Sequence, residues 1–200
     1  MRARLALLNA GIKVELREIL LKDKPQQFLD MSGSGTVPAL DVGGHVLDES
    51  ADIMVWALDQ NDPAHLLEMP AEGWELIVRN DGPFKTALDH TKYASRHPEL
   101  DAKVERHKAA RVLVDLNQRL KGKNALFGNR LTLADHAILP FVRQFANTDL
   151  EWFKAKPWPD LIAWLTRFTA SDDFARIMIK YPPWSKGDTP IWFAGTTPAT

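Results

Sequence analysis

The chain contains no cysteine. Disulfides, thiolate metal sites and a cysteine nucleophile are therefore excluded within these residues. The compartment is left open by that absence, since many cytosolic chains have few cysteines. An excess of one charge is missing as well. Lys and Arg number 25 against 26 Asp and Glu, a formal net charge of −1, and the pI lies near 6.6. Neither nucleic acid nor an anionic membrane is implied as a partner. No apolar run approaches the ~20 residues that span a bilayer. Arg2 and Arg4 ahead of Leu5 to Leu8 imitate a secretory signal. The apolar part is short, however, and Gly11 and a strand pattern from Lys13 to Glu18 follow at once, so a soluble cytoplasmic protein is expected. The 6 histidines show no His-x-His or His-x₃-His spacing on one face, and no metal is expected. Repeats and low-complexity tracts are absent. What remains is 200 residues with 45% hydrophobic content, enough for one substantial core or two small ones.

The stretch that organises the chain is Thr36-Val37-Pro38-Ala39-Leu40, which continues through a hairpin to Asp48-Glu49-Ser50. Ala39 to Val42 and His45 to Leu47 read as short strands, and Gly43-Gly44 supplies the positive φ of a tight turn. Pro38 has no N–H for a ladder and belongs at the first residue of an edge strand. That leaves the N–H and C=O of Val37 open to another extended backbone. Ser50 stands before the helical run Ile53, Val55, Trp56, Ala57 and Leu58, where it is expected to cap the helix N-terminus. Free N–H groups and the helix dipole favour a carboxylate there. A strand edge and an anion site joined by a hairpin can hold a small acidic peptide.

These residues resemble the glutathione S-transferase superfamily, in particular its omega- and beta-like members. The resemblance implies a cis Val37–Pro38 step pairing with the cysteinyl backbone of glutathione. It implies that Glu49 takes the γ-glutamyl ammonium and Ser50 the α-carboxylate. Leu21-Lys22-Asp23-Lys24-Pro25 is similar to the omega-type loop whose lysine, here Lys24, reaches a glutathione carboxylate. Read locally, the same residues have plainer meanings. Only ~5–6% of X–Pro bonds are cis, Glu49-Ser50 suits any helix start, and loop lysines are usually solvated. Order and spacing together carry the resemblance.

The rest of the chain fits it. Met1 to Ala10 reads as a helix with Gly11 at the C′ position, followed by a strand from Ile12 to Leu16. Pro25 suits the N1 position of a short helix. The order α-β-α-β-β-α to about residue 60 is similar to a thioredoxin-like domain without its first strand. By the resemblance, that strand and its loop would carry the catalytic Cys, Ser or Tyr, ahead of Met1. Either Met1 is an internal methionine of a longer chain or the front edge has been lost. No catalytic residue is named within the chain.

Residues 61–70 read as a linker and residues 71–200 as an all-helical domain. Helices are expected from Ala71 through Trp74, Ile77 and Val78, interrupted at Asp81-Gly82-Pro83, and from about Pro98 to Gly122. Thr132 and Asp135 form a capping box, structural in role, ahead of the apolar stripe Ala134, Ala137, Ile138, Phe141, Val142 and Phe145. Trp74, Trp158 and Trp164 are expected to fill the core, and the tail from Tyr181 to lie over the surface. The resemblance implies a dimeric protein in two domains, thioredoxin-like at residues 1–60 and all-α at residues 71–200. Its implied work is transfer of the glutathione thiol to an electrophile or mixed disulfide. A non-catalytic binding module and a glutaredoxin-like reductase are the alternatives.

Overall fold

The computed structural model describes residues 1–194, which form two compact units. One holds Met1–His65 together with the segment from Asp172 onward, and the other is Leu66–Ser171.

In the first unit, α1 (Arg2–Asn9) ends as its sequence dictates. Gly11 takes φ +66°. Its N–H donates to the Leu8 carbonyl at 3.1 Å while that of Ile12 reaches Leu7 at 3.0 Å, the paired bonds of a Schellman stop. The chain then runs through β1 (Val14–Glu15), α2 (Gln26–Met31), β2 (Leu40–Asp41), β3 (Val46–Leu47) and α3 (Ser50–Gln60). Pro25 sits one place earlier than expected, outside the helix at the N-cap of α2, with ψ 142°. β2 and β3 pair antiparallel with Leu40 opposite Leu47. Gly43 and Gly44 turn the hairpin at φ +90° and +98°, a backbone that residues with a Cβ rarely adopt. The Asp41 Oδ1 accepts the N–H groups of Gly43 and Gly44 at 2.9 and 3.0 Å. These bonds, that of Gly44 foremost, hold the carboxyl below its ordinary pKa. Leu5, Ile53, Met54, Ala57 and Leu58 fill the seam where α1 packs on α3.

The tail departs from expectation. It does not merely cover the surface of a helical domain but joins the first unit and contributes a strand, β4 (Trp192–Phe193). β4 runs antiparallel to β1 with Val14 opposite Phe193, and the Leu16 N–H extends the ladder to Ile191 at 2.7 Å. Phe193 is buried. The Arg4 guanidinium lies 5.3 Å from the Tyr181 ring centre and 5.8 Å from that of Phe193, and it donates to the Ile177 and Ile179 carbonyls. Arg4 thus ties α1 to the tail, which shows why a boundary at residue 71 cannot hold to the C-terminus. The two pairs, β1–β4 and β2–β3, form separate sheets, and no strand among the described residues joins them.

The second unit is helical: α4 (Ala71–Arg79), a π-turn at Asn80–Phe84, α5 (Lys85–Lys92), a 3₁₀ turn at Ala94–Arg96, α6 (Ala102–Leu120), α7 (Leu133–Ala146), α8 (Leu150–Lys154) and α9 (Pro159–Thr169). Its last neighbour in sequence, α10 (Asp172–Ile177), belongs to the first unit. The π-turn holds the expected interruption at Asp81-Gly82-Pro83 within a continuous helical path. α6 begins later than expected because Asp101, not Pro98, caps it, accepting the Lys103 N–H at 2.8 Å. Leu66, expected in a linker, is buried and its carbonyl accepts the Leu133 N–H at 2.8 Å. Trp158 and Trp164 are core residues, but Trp74 is 43% exposed. On α4 the buried side is that of Gly73 and Ile77, which turns Trp74 and Val78 outward.

The capping box organises this unit. Asp135 is fully buried. Its Oδ2 accepts the Thr132 N–H and the Thr132 hydroxyl, both at 2.9 Å. Its Oδ1 accepts the Leu126 N–H at 2.9 Å and the Trp164 indole N–H at 3.0 Å. One carboxylate therefore fixes the start of α7, the preceding loop and the middle of α9.

Candidate functional site

The site is built in the first unit around the loop from Ser32 to Pro38. Lys24, just ahead of α2, turns its ammonium onto the Gly35 carbonyl at 2.8 Å. The Asp48 carboxylate, just past β3, accepts the Ser34 N–H at 3.1 Å. The loop is thus tethered on one side to the lysine segment and on the other to the end of the hairpin. Beyond the tethers the chain opens. Val37 is 45% exposed, and among the described residues its N–H and C=O make no hydrogen bond. The Val37–Pro38 peptide is cis, as the resemblance implied. Such an unpaired N–H and C=O accept a partner peptide without first breaking a bond.

Glu49 and Ser50 follow β3 directly, with one correction to their expected roles. Ser50 is not the cap of α3 but its first helical residue. Glu49 occupies the N-cap, with extended backbone at φ −103° and ψ 132°, and no side chain caps the helix. The cause is the length of the connection. β3 ends at Leu47, and two residues, Asp48 and the extended Glu49, suffice to reach the helix start. The Ser50 hydroxyl is consequently not spent on the backbone. Its oxygen accepts instead from the Arg2 guanidinium at 3.5 Å, and Arg2 is 5% exposed. The first N–H groups of α3 have no partners within the helix, and its dipole adds positive potential at the same end.

The structure therefore brings Lys24, Val37 and Pro38 to one tethered loop. It places Glu49 and Ser50 at the start of α3, one hairpin further on. Thr132 and Asp135 lie in the other unit, where they form the capping box of α7. Sequence reasoning missed Arg2. The signal was its helical spacing, since Arg2 stands three residues before Leu5 and four before Ala6, on the face that α1 buries. The site carries cations at Lys24 and Arg2 and a carboxylate at Glu49. Among the described residues no group of three or more His, Asp or Glu is arranged to hold a metal. No described helix is long and apolar enough to cross a membrane.

A small α/β unit with a cis-proline edge, followed by a helical unit with a buried capping-box helix, defines a two-domain thioredoxin-like class. Family models agree with that division. Residues 1–65 match the glutathione S-transferase N-terminal domain and residues 77–172 the glutathione S-transferase C-terminal domain. The chain belongs to the glutathione S-transferase superfamily. Solved structures share the fold at low identity. A glutathione transferase family member from Pseudomonas fluorescens pf-5, solved with two glutathione bound, is 23% identical with a TM-score of 0.73 over 88% of this chain and 86% of its own. The bacterial transferase BphK, solved as a ternary complex, is 20% identical with a TM-score of 0.74, covering 87% of this chain and 90% of its own. Poplar glutathione transferase F1 is 18% identical with a TM-score of 0.71, covering 88% and 90%.

Proposed function

We propose that this protein binds glutathione and serves its transfer to an electrophile or mixed disulfide. The observation that carries the reading is the open Val37 backbone on a loop tethered by Lys24 and Asp48. Family membership supports it, as does the Pseudomonas relative solved with glutathione bound. In this reading the cysteinyl N–H and C=O of glutathione pair with Val37 and Pro38 shapes that edge. Glu49 takes the γ-glutamyl ammonium, and Ser50 with the first amides of α3 takes the α-carboxylate. Lys24 keeps two further N–H donors beyond its bond to Gly35, and it serves the glycyl carboxylate. These 200 residues hold no cysteine, and in this reading the reacting thiol is that of glutathione. Its thiolate attacks the electrophile, and its proton leaves to solvent or to a base. The residues placed here bind and orient. The reading includes a homodimer in the cytoplasm, with light scattering and fractionation as its checks.

Calorimetric titration of reduced glutathione tests the site. The protein is expected to bind, with affinity falling in Ser50→Ala and in Glu49→Ala. Equal affinity in both variants rules the site out.

A further inference from the structure

We infer that Arg2 is a positioning residue that makes the site selective for an ionised carboxylate, acting through Ser50. The inference rests on the glutathione reading above and adds the source of its charge selectivity.

A guanidinium has five donors and no acceptor, and it stays charged at any working pH. In the contact of 3.5 Å between Arg2 and Ser50, the serine oxygen must therefore accept. A hydroxyl carries one hydrogen, and here that hydrogen cannot point at Arg2. It is not used to cap α3 either, since no side chain caps that helix. Among the described residues Ser50 has no other side-chain partner. Its hydrogen is left for an acceptor outside the protein.

The consequence is selectivity. An ordinary serine hydroxyl turns to suit its partner and serves an amide N–H as readily as a carboxylate oxygen. With one lone pair engaged by Arg2, the Ser50 hydroxyl is polarised as a donor beside a permanent positive charge. At 5% exposure that charge is shielded little by water. A second lone pair remains on the Ser50 oxygen, but a donor brought to it meets the charge of Arg2. An acceptor is therefore favoured at Ser50 and gains most by being negative, as the γ-glutamyl α-carboxylate is. Arg2 is placed by the same packing that joins α1 to α3, so the arrangement does not depend on a loose side chain.

The test pairs variants of the protein with two ligands: glutathione, and glutathione whose γ-glutamyl α-carboxylate is a primary amide. The wild type is expected to prefer glutathione by about ten- to a hundredfold. In Arg2→Met that preference falls to within about threefold, through loss of glutathione affinity, while the amide analogue binds nearly as before. In Arg2→Lys, which keeps a donor and a charge, most of the preference returns. Arg2→Met adds little in a Ser50→Ala background, because its effect passes through Ser50. Arg2→Gln serves in its place if the methionine variant does not fold, with loss of preference expected again. A parallel loss for both ligands overturns the inference, since a merely structural arginine weakens both alike. A preference left intact in Arg2→Met or Arg2→Gln overturns it too and leaves the glutathione site standing. A wild type that binds neither ligand overturns the glutathione reading itself and this inference with it.

Discussion

Replacing Asp135 by Asn changes one atom of a residue that holds four hydrogen bonds. Its two carboxylate oxygens accept in pairs: Oδ2 from the N–H and hydroxyl of Thr132, Oδ1 from the Leu126 N–H and the Trp164 indole. An amide has one accepting oxygen and one NH₂. Whichever way it is turned, NH₂ faces two donors, and the site is closed to water. Each orphaned buried donor costs ~1–3 kcal/mol, so the loss comes to about 2–6 kcal/mol. That is a large part of the ~5–15 kcal/mol by which a domain is stable. Urea unfolding followed by circular dichroism measures it, and tryptophan fluorescence adds a local report through Trp164. Thr132→Ala, which leaves the carboxylate in place, is expected to cost only ~1 kcal/mol. An Asp135→Asn variant within ~0.5 kcal/mol of wild type would refute the view that this carboxylate joins α7, its preceding loop and α9.

Glu105 is nearly buried, bonded to Lys108 at 2.6 Å and to His90 Nδ1 at 3.0 Å. These bonds, Lys108 first, hold its pKa below the ordinary value of 4.5. The unfolded chain then binds the proton more readily, so the contribution is present above about pH 4.5 and is lost as pH falls through the lower folded value. Urea midpoints between neutral and acid pH should fall less steeply in Glu105→Gln than in wild type. Phe193→Ala removes the buried anchor of β4 beside Arg4 and is expected to cost ~3–5 kcal/mol. Hydrogen exchange at Leu16, which bonds to Ile191, should speed up in that variant. Ser50→Ala is expected to cost ~1 kcal/mol or less in stability, through the acceptor lost to Arg2 and not through a helix cap, while lowering glutathione affinity.

How much the sequence revealed depended on how local the cause was. The hairpin, the stop at Gly11 and the box at Thr132 and Asp135 are each decided by residues within four positions of one another, and all are present. The pairing of β1 with β4 joins residues near the two ends of the described chain. Strand preference within Trp192-Phe193 says nothing about which distant edge it will meet. A serine before a helical run reads as a cap, but Glu49 takes the N-cap here and Ser50 is the first helical residue, a shift of one position that local sequence does not decide. Arg2 was passed over because arginines are seldom buried, although its spacing to Leu5 marked the inward face. Bulk alone points Trp74 to the core, while the helix buries the side of Gly73 and Ile77.

The account turns on glutathione lying along Val37 with its γ-glutamyl end at the start of α3. Amide-resolved NMR titration of the protein with glutathione tests this most directly. The Val37 amide and the first amides of α3, at Ser50, Ala51 and Asp52, are predicted to shift together and saturate with a single dissociation constant. A saturable response that leaves Val37 and those amides unmoved, or that falls only within Leu66–Ser171, would contradict it.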